Sequence, residues 1–313
     1  MRFLALALLL APAAAFSSPE RQDKIKVLIV DGQNNHNWAA MTPFMKAQLE
    51  KSGLFQVDVS TSPPSAPGKK KDETPEQAAD REKKAAGMKG QWDAWRPKFS
   101  DYKVVVSNYN GQPWPEPVQK DFEAFVNGGG GVHIVHAANN AFPQWGEYNK
   151  MIGLGWRDNK FGDRVTLDDK GEPQREKAGT GPGAGHGSQH EFVVTMHDVE
   201  HPITKGFPAT WKHATDELYH GQRGPAENMK ILASAFDDPA SKGTGAREPM
   251  LWIIPYGKGQ VVTNVMGHEN GKALQCVGFV TIMNRTCEWL ATGKVTLPVP
   301  AEFPKPDAVS LVK

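Results

Sequence analysis

The sequence predicts an α/β protein with a doubly wound, mostly parallel sheet and helices on both of its faces. Short segments rich in Val and Ile alternate with segments of helical length, which is the pattern of βαβ units. Some of the short segments are apolar at almost every position, as expected for strands that are buried on both faces. Polar motifs follow these segments, and open α/β sheets bind ligands at the carboxyl ends of their strands.

The N-terminal elements predict a first βαβ unit. Residues 26–32 form a strand that ends in a turn, and residues 55–61 form the second strand. Between them Thr42 caps a helix, Pro43 occupies its first position, and Gly53 follows its end. This order favours parallel pairing of the two strands.

The next part of the chain predicts an insertion and the centre of the sheet. Residues 62–99 are a charged insertion, which two tryptophans fold back onto the body. A strand at residues 102–107 and an amphipathic helix at residues 117–127 follow. The strand at residues 132–135 ends in His136, two alanines and two asparagines, which gives a ligand close access to the backbone there.

The second half predicts a lid-like excursion followed by further strands. Residues 143–190 are rich in Gly, Trp and charged residues, and we expect a long excursion with one short helix at residues 145–152. The remaining predicted elements are strands at 191–196 and 229–235, a hairpin of strands 249–256 and 259–266, a helix at 275–291 and a loosely held Pro-rich tail at 298–313. Residues 214–219 are expected to be extended or to form a short turn.

Composition and charge indicate one domain, which we place at residues 25–297. The chain has 313 residues, 39% of them hydrophobic, and a net charge of +1, so nothing indicates a nucleic-acid partner. Residues 1–15 have a positive start, an apolar core and a small-residue cleavage site, which predict a signal peptide followed by a linker at 16–24. No other stretch approaches membrane length. We therefore expect no membrane insertion and a secreted or periplasmic protein.

Two cysteines, Cys276 and Cys287, fall in the predicted C-terminal helix. Eleven residues of helix separate their Cα atoms by about 16 Å along the axis, whereas a disulfide needs less than about 7 Å. We expect two buried, unreactive thiols that do not pair with each other.

Taken together, the polar motifs resemble those of the ThuA-like (trehalose-utilisation) family. The motifs that carry the resemblance are residues 33–36 (Gln-Asn-Asn-His), 108–111 (Asn-Tyr-Asn-Gly), 136–140 (His-Ala-Ala-Asn-Asn), 186–187 with 190–192, 201–203 (His-Pro-Ile), 216–219 (Asp-Glu-Leu-Tyr) and 256–259 followed by 267–268. The resemblance covers residues 25–295. It implies a flavodoxin-like fold similar to class I glutamine amidotransferases and a link to sugar metabolism.

One departure from the amidotransferases bears on the chemistry. Those enzymes place a nucleophilic cysteine at an elbow after the central strand, and here His136 occupies that region. Neither cysteine lies near it in sequence, and thiol catalysis needs a thiolate with a base beside it. We therefore expect no amidotransferase activity.

Two hypotheses account for the polar residues. In the first, histidines and a carboxylate bind a divalent metal such as Zn, which polarises a carbonyl or activates water. In the second, the site lacks a metal, and a histidine acts as general acid or base while amides and tryptophans hold a sugar. The candidate catalytic residues are His136 and His186. The candidate metal ligands are His36, His190 and His268. The candidate substrate-binding residues are Asn34, Asn108, Asn110, Trp114, Asn139, Asn140, Asp216, Glu217 and Tyr219.

The sequence thus predicts an exported protein that acts on a sugar or keto-sugar by acid–base lyase, hydrolase or isomerase chemistry, with or without the help of a metal. A carbonyl acidifies the neighbouring C–H, so a keto-sugar suits such a site. The alternative is a non-catalytic carbohydrate-binding module. The sequence identifies neither the sugar nor the oligomeric state.

Overall fold

A computed structural model describes residues 23–269 and 271–312. The predicted signal peptide lies outside the described residues, as does most of the predicted linker. The strands in chain order are β1 (Ile25–Asp31), β2 (Phe55–Thr61), β3 (Val104–Ser107), β4 (Gly131–Val135), β5 (Arg164–Leu167), β6 (Pro173–Glu176), β7 (Gly185–His186), β8 (His190–Met196), β9 (Thr210–Asp216), β10 (Tyr219–His220), β11 (Lys230–Phe236), β12 (Arg247–Tyr256) and β13 (Gly259–Asn264).

Six α-helices lie within the described residues. In chain order they are α1 (Trp38–Lys51), α2 (Pro75–Ala94), α3 (Glu116–Asn127), α4 (Gly146–Ile152), α5 (Lys272–Gln275) and α6 (Val277–Thr292). Three short 3-10 helices, Phe99–Asp101, His136–Asn140 and Pro239–Ser241, complete the helical elements. No helix among the described residues is long and apolar enough to cross a membrane.

The centre of the fold is a parallel sheet in the order β2-β1-β3-β4-β13. This is the flavodoxin-like order, and its direction of winding reverses between β1 and β3. Along β1, Val27 and Ile29 pack into one apolar cluster with α1 and α6, whereas Leu28 and Val30 pack into another with α3 and α4. Both faces of the sheet are therefore buried, and the predicted doubly wound α/β class is confirmed.

An antiparallel extension follows the parallel strands, in the order β13-β12-β11-β8-β9. Each neighbouring pair is antiparallel, so β9 runs in the same direction as β13 and its carboxyl end lies at the same edge. In a flat sheet, four strand spacings would separate β9 from β13 by about 19 Å. Nevertheless, the backbone N–H of Gly267, just beyond β13, donates to Asp216 at the end of β9 at 2.7 Å. The extension therefore curls back over the parallel half.

The predicted insertion contains one long, exposed helix. Thr74 caps α2 with a complete capping box, and Trp92 anchors its C-terminal end by burying its ring and donating to the Pro64 carbonyl at 3.1 Å. Trp95 then donates to the Ser60 side chain of β2 at 3.1 Å and packs 5.6 Å from the Trp114 ring, so the segment folds back onto the body as predicted.

The predicted excursion at residues 143–190 contains α4 and the strands β5, β6 and β7. Buried Arg157 ties it to the body by donating hydrogen bonds to the carbonyls of Asn140 and Ala141 and to the Asn149 side chain. Its role as a lid stays a prediction.

The C-terminal segment departs from two expectations. The predicted helix at 275–291 corresponds to α6 but begins two residues later, because Cys276 adopts a non-helical conformation that separates α6 from the short helix α5. The tail is docked rather than loosely held, since Val277 donates to Ser310 and Val312 donates to Gln275 through backbone hydrogen bonds. Cys276 and Cys287 are both buried and unpaired with each other, as predicted.

Candidate metal centre

Four side chains that can bind a metal converge at the carboxyl edge of the sheet. They are His36 after β1, His136 after β4, His268 after β13 and Glu217 after β9, and their candidate ligand atoms all lie within 4.8 Å of one another. Parallel strands bring the three histidines to one edge, and the curled extension adds the carboxylate. Ligands around Zn²⁺ lie about 3.4 Å apart, so side-chain shifts on the order of 1 Å would close this set around an ion.

The backbone holds His136 in a strained conformation above β4. Its φ is +44°, which is uncommon for a residue other than glycine. The Nδ1–H donates to the Val265 carbonyl at 2.7 Å, which fixes the tautomer and leaves the Nε2 lone pair facing the cluster. The Tyr219 hydroxyl lies 3.0 Å from that Nε2. His136 is thus preorganised to present one nitrogen to a cation or a proton.

Glu217 connects the histidines electrostatically. One carboxylate oxygen lies 3.2 Å from His268 Nε2 and 3.4 Å from His186 Nε2, and the other lies 3.7 Å from His136 Nε2. Burial alone would raise the pKa of Glu217, but His268, His136 and His186 lower it to about 2. The carboxylate is therefore ionised at neutral pH and available as an oxygen ligand.

The histidine pKa values diverge within the cluster. Burial, with the neighbouring imidazoles of His136 and His268, lowers the pKa of His36 to about 4, and burial also lowers that of His136. Burial would lower the pKa of His268 as well, but the hydrogen bond to Glu217 and its charge raise it instead. Two imidazoles are thus neutral and ready to coordinate at pH 7, whereas His268 holds a proton more tightly.

The cluster opens toward an aromatic wall. His186 is 36% exposed, and its ring lies 5.9 Å from that of half-buried Trp156. Trp156 meets Tyr219 edge to face at 4.7 Å, and burial followed by the charge of Glu217 raises the pKa of Tyr219. Tyr219 therefore remains a hydrogen-bond donor at neutral pH, between the candidate metal ligands and the open side.

Known proteins share both the sequence pattern and the fold of this chain. The family model for ThuA, described as trehalose utilisation, matches residues 91–290. The chain belongs to the ThuA family. The crystal structure of a ThuA-like protein from Parabacteroides merdae ATCC 43184 is 38% identical, with a TM-score of 0.81 over 93% of this chain and 98% of that one. A ThuA-like protein from Bacteroides uniformis ATCC 8492 shares the fold at 16% identity, with a TM-score of 0.53 over 90% of this chain and 97% of that one. No curated protein matches the chain.

Membership of the ThuA family confirms the resemblance inferred from the motifs and relates the protein to carbohydrate utilisation. The matched range contains His136, Glu217 and His268, whereas His36 precedes it. The range matched by the family model thus contains three members of the cluster, and the loop after β1 supplies the fourth.

The predicted site residues take different positions around this centre. His36 and His268 belong to the cluster of candidate metal ligands, but His190, which the sequence also suggested as a ligand, does not. Its Nδ1 bonds the Ser188 carbonyl at 2.8 Å, and its ring packs on Phe192. His136 and Glu217 replace it as candidate ligands, although the sequence suggested a catalytic role for one and substrate binding for the other.

The asparagines mostly organise the loops around the centre. Asn108 is fully buried and donates to Thr42, while Asn34 donates to both oxygens of Asn108. Asn110 donates to the side chain of Asn35, which lies against the His36 ring. These contacts hold the loop after β1 in place and so orient His36.

The two asparagines after β4 differ in exposure. Asn139 is buried and donates to Gln222, whereas Asn140 is only partly buried and its side chain approaches Tyr219. Of the pair, Asn140 is better placed to reach a ligand in the cleft.

Two of the predicted substrate-binding residues are not available to a sugar. Trp114 is only 2% exposed and packs among aromatic side chains below the sheet edge, where no ring face is free to stack on a sugar. Asp216 is fully buried and accepts hydrogen bonds from His213, Glu217, Gly267 and His268. The sequence does not reveal this burial, which does not fit a substrate-binding role for either side chain.

Trp156 borders the cleft, and the sequence did not predict a substrate-binding role for it. It follows Gly155 in the excursion, and no periodic pattern surrounds it that would separate a cleft residue from a core residue. A cavity of about 520 Å³ lies elsewhere, between α1, α6 and the C-terminal tail, and none of the four candidate ligands lines it.

Proposed function

We propose that this protein is an exported, metal-dependent enzyme that acts on a sugar carrying a carbonyl group. The observation that carries the proposal is the convergence of His36, His136, Glu217 and His268 at one edge of the sheet. Three imidazole nitrogens and one carboxylate oxygen suit Zn²⁺ and other divalent transition metals. Family membership favours a carbohydrate as substrate, and the pattern of residues 1–15 favours export to the periplasm or beyond.

The chemistry follows from the positions of the donors and bases. A divalent ion held by these side chains, with one further coordination position free, would polarise a carbonyl and acidify the adjacent C–H. His186, at the exposed side, would accept that proton, with its imidazolium stabilised by Glu217 at 3.4 Å. The Tyr219 hydroxyl would donate a hydrogen bond to the oxygen on which negative charge develops. In an elimination, a leaving group would then depart from the carbon next to the one that lost its proton. In an isomerisation, the proton would instead return to a neighbouring carbon.

Substrate binding is assigned to the open side of the cluster. Trp156 presents an aromatic ring beside His186 and Tyr219, and the apolar face of a sugar ring stacks on such a surface. Asn140 lies next to Tyr219 and supplies an amide for a sugar hydroxyl.

Elemental analysis of the protein purified without chelator tests the metal centre. We expect about one divalent ion per chain, and its loss in His36→Ala and His268→Ala. His190→Ala is the matched control because it also removes a nearby histidine, one outside the cluster, and it should retain the metal. A wild-type protein that neither contains nor binds a divalent metal would refute the metal centre.

The activity is tested with a panel of keto-disaccharides. The metal-loaded protein should convert at least one of them, the chelated protein should not, and added metal should restore turnover. Glu217→Gln and His186→Gln separate a ligand from a base: the first should remove the metal, whereas the second should remove turnover and leave the metal bound. Saturable binding without product under every metal condition would instead identify a carbohydrate-binding protein.

A further inference from the structure

The residues on the open side of the cluster come from three separate segments of the chain. Trp156 follows Gly155 in the excursion, His186 follows a glycine-rich loop at residues 179–185, and Tyr219 begins β10. The centroids of their rings lie 4.7 to 6.5 Å apart. Trp156, His186 and Tyr219 together form the open-side wall of the cleft. Because this wall is assembled from distant segments, something must hold those segments together.

The glycine-rich loop before His186 has little stiffness of its own. Four of its seven residues are glycines, and Gly179 and Gly181 have φ angles of +86° and +61°, in the left-handed region. Glycine loses more conformational freedom on folding than any other residue, so an ordered loop of this composition depends on contacts from outside. The loop nevertheless places His186 Nε2 3.4 Å from the Glu217 carboxylate.

Arg223 supplies such contacts from the interior. Its side chain is 0% exposed, and its Nε–H donates to the Pro182 carbonyl at 2.9 Å. Its Nη2 group donates to the carbonyls of Thr180 and Pro182, and it lies 3.6 Å from the Glu176 carboxylate, which offsets the buried charge. A guanidinium has five N–H donors in a fixed plane, so one side chain can hold several carbonyls in place at once.

The backbone of Arg223 joins the other two segments of the wall. Its N–H donates to the Gly155 carbonyl at 3.0 Å, and its own carbonyl accepts the Gly155 N–H at 2.9 Å, directly beside Trp156. Arg223 also follows β10 closely in the chain, and within β10 Tyr219 pairs with His186 of β7. Arg223 is therefore linked to every segment that carries a residue of the open-side wall.

The candidate metal ligands are held by other residues. The ring of His136 donates to the Val265 carbonyl, and Asp216 accepts the backbone N–H groups of Glu217 and His268. The metal cluster and the open-side wall thus have separate anchors, and a change at one anchor should leave the other side of the cleft in place.

We propose that Arg223 is a positioning residue that assembles the open-side wall and places His186 beside the cleft. This inference rests on the proposed function, in which His186 accepts a proton and Trp156 stacks on the sugar. Without the guanidinium, the loop carbonyls lose their donors, and His186 moves with the loop. The expected result is a protein that still binds its metal but converts the sugar slowly.

The test compares Arg223→Met with the matched control Arg285→Met. Arg285 is only 5% exposed and also donates to backbone carbonyls, those of Pro202, Lys205 and Leu297, outside the open-side wall. Both variants should lower the melting temperature and bind Zn²⁺ as wild type does in chelator competition. Hydrogen exchange followed by mass spectrometry should show residues 177–188 exchanging at least about 10-fold faster in Arg223→Met alone, because that loop loses its charged donor.

Kinetics with a keto-disaccharide that the wild type converts provide the second readout. Arg223→Met should lower kcat/KM about 100-fold, with a lower kcat because His186 is displaced and a higher KM because the wall is incomplete. Arg285→Met should retain both constants. Arg223→Lys keeps the charge but lacks the planar set of donors, so it should recover only part of the lost kcat.

The inference is overturned if residues 177–188 exchange at the same rate in Arg223→Met and Arg285→Met, or if the two variants have the same kcat/KM. A loss of Zn²⁺ affinity in Arg223→Met alone would also overturn it, because the metal ligands would then share the anchor. If Arg223→Met does not fold, Arg223→Lys takes its place, and wild-type exchange and kcat/KM in that variant are the contrary result. A wild-type protein that binds no metal or converts no sugar would refute the proposed function instead. The exchange experiment needs neither ligand, so the two failures are distinguishable.

Discussion

Replacing the Asp216 carboxylate by an amide should destabilise the protein and weaken its metal centre together. Each carboxylate oxygen accepts two hydrogen bonds from buried donors, and the side chain introduced by Asp216→Asn would have only one oxygen. Either orientation of the amide therefore directs an NH₂ group at two donors. In one orientation these are the N–H groups of Glu217 and His268, and in the other they are those of Gly267 and His213.

The expected cost follows from these contacts. A hydrogen bond to a charged group contributes about 1.5–3 kcal/mol, and a buried donor left without a partner costs about 1–3 kcal/mol. Two such losses give about 3–6 kcal/mol for Asp216→Asn, with some relief if His213 changes its tautomer. Since domains are stable by about 5–15 kcal/mol, the variant should fold with a much reduced margin.

Urea denaturation of the chelator-treated protein at pH 7 measures this cost, and chelator competition measures Zn²⁺ affinity. Asp237→Asn is the matched control, because Asp237 is also fully buried and lies 2.8 Å from a histidine, His220, away from the metal cluster. Both variants should lose stability, but only Asp216→Asn should lose Zn²⁺ affinity, by at least about 10-fold. A loss of less than about 1 kcal/mol for Asp216→Asn, or equal Zn²⁺ affinities, would show that the carboxylate does not organise the site.

Metal affinity, sugar stacking and helix packing each provide a further prediction. The pKa of His268 is raised, so Zn²⁺ must displace the proton of His268 in order to bind. The affinity for Zn²⁺ should therefore rise about tenfold per pH unit until the pH exceeds that pKa. Chelator competition from about pH 6 upward measures this rise, and an affinity that does not change with pH would contradict it. Trp156→Ala should weaken binding of the converted sugar about tenfold, whereas Trp156→Phe should retain most of the affinity because it keeps an aromatic ring. Titration calorimetry measures both affinities, and an equal loss of affinity in the two variants would argue against stacking. Gly278→Ala should lower the free energy of unfolding in urea by about 1–3 kcal/mol, because the new Cβ would lie 2.5 Å from Trp211. The control Gly90→Ala, in open space on α2, should raise it by about 0.5–1 kcal/mol. An unchanged stability of Gly278→Ala would mean that α6 is free to shift.

Most of the parallel half was predictable because its elements have local signatures, but α1 begins at Trp38 with Asn37 as its cap, and the predicted cap Thr42 and first residue Pro43 lie inside the helix. The apolar segment at β1, the glycine-ended helix α3 and the hairpin between β12 and β13 all lie close to their expected positions. The strand β9 was harder to predict, since Thr210–Asp216 contains only two apolar residues among lysine, histidine, aspartate and two threonines. Its buried polar residues, His213 and Asp216, form a hydrogen bond with each other, and Asp216 also accepts one from the loop after β13. Sequence periodicity does not reveal such pairs.

The candidate site was predictable in its location but only partly in its membership. The carboxyl edge follows from the strand order, and His36, His136 and His268 all come from loops at that edge. Glu217, and not His190, joins the cluster because the antiparallel extension curls back over the parallel half. The sequence does not reveal this curl, which is a property of the tertiary structure. For the same reason, the sequence suggested Trp114 as a sugar-binding surface although it is a core residue, and overlooked Trp156.

The position of His136 connects the family resemblance to the proposed chemistry. A residue with positive φ after a central strand costs about 1–2 kcal/mol, and it is retained where it directs a side chain into a site. Amidotransferases of similar fold place a nucleophilic cysteine at the corresponding elbow. Here the same strained position presents an imidazole nitrogen to the cluster, while both Cys276 and Cys287 are buried in the interior. The backbone geometry that would position a nucleophile therefore positions a candidate metal ligand, which is why the proposed chemistry uses an ion and the open-side bases and not a covalent thioester.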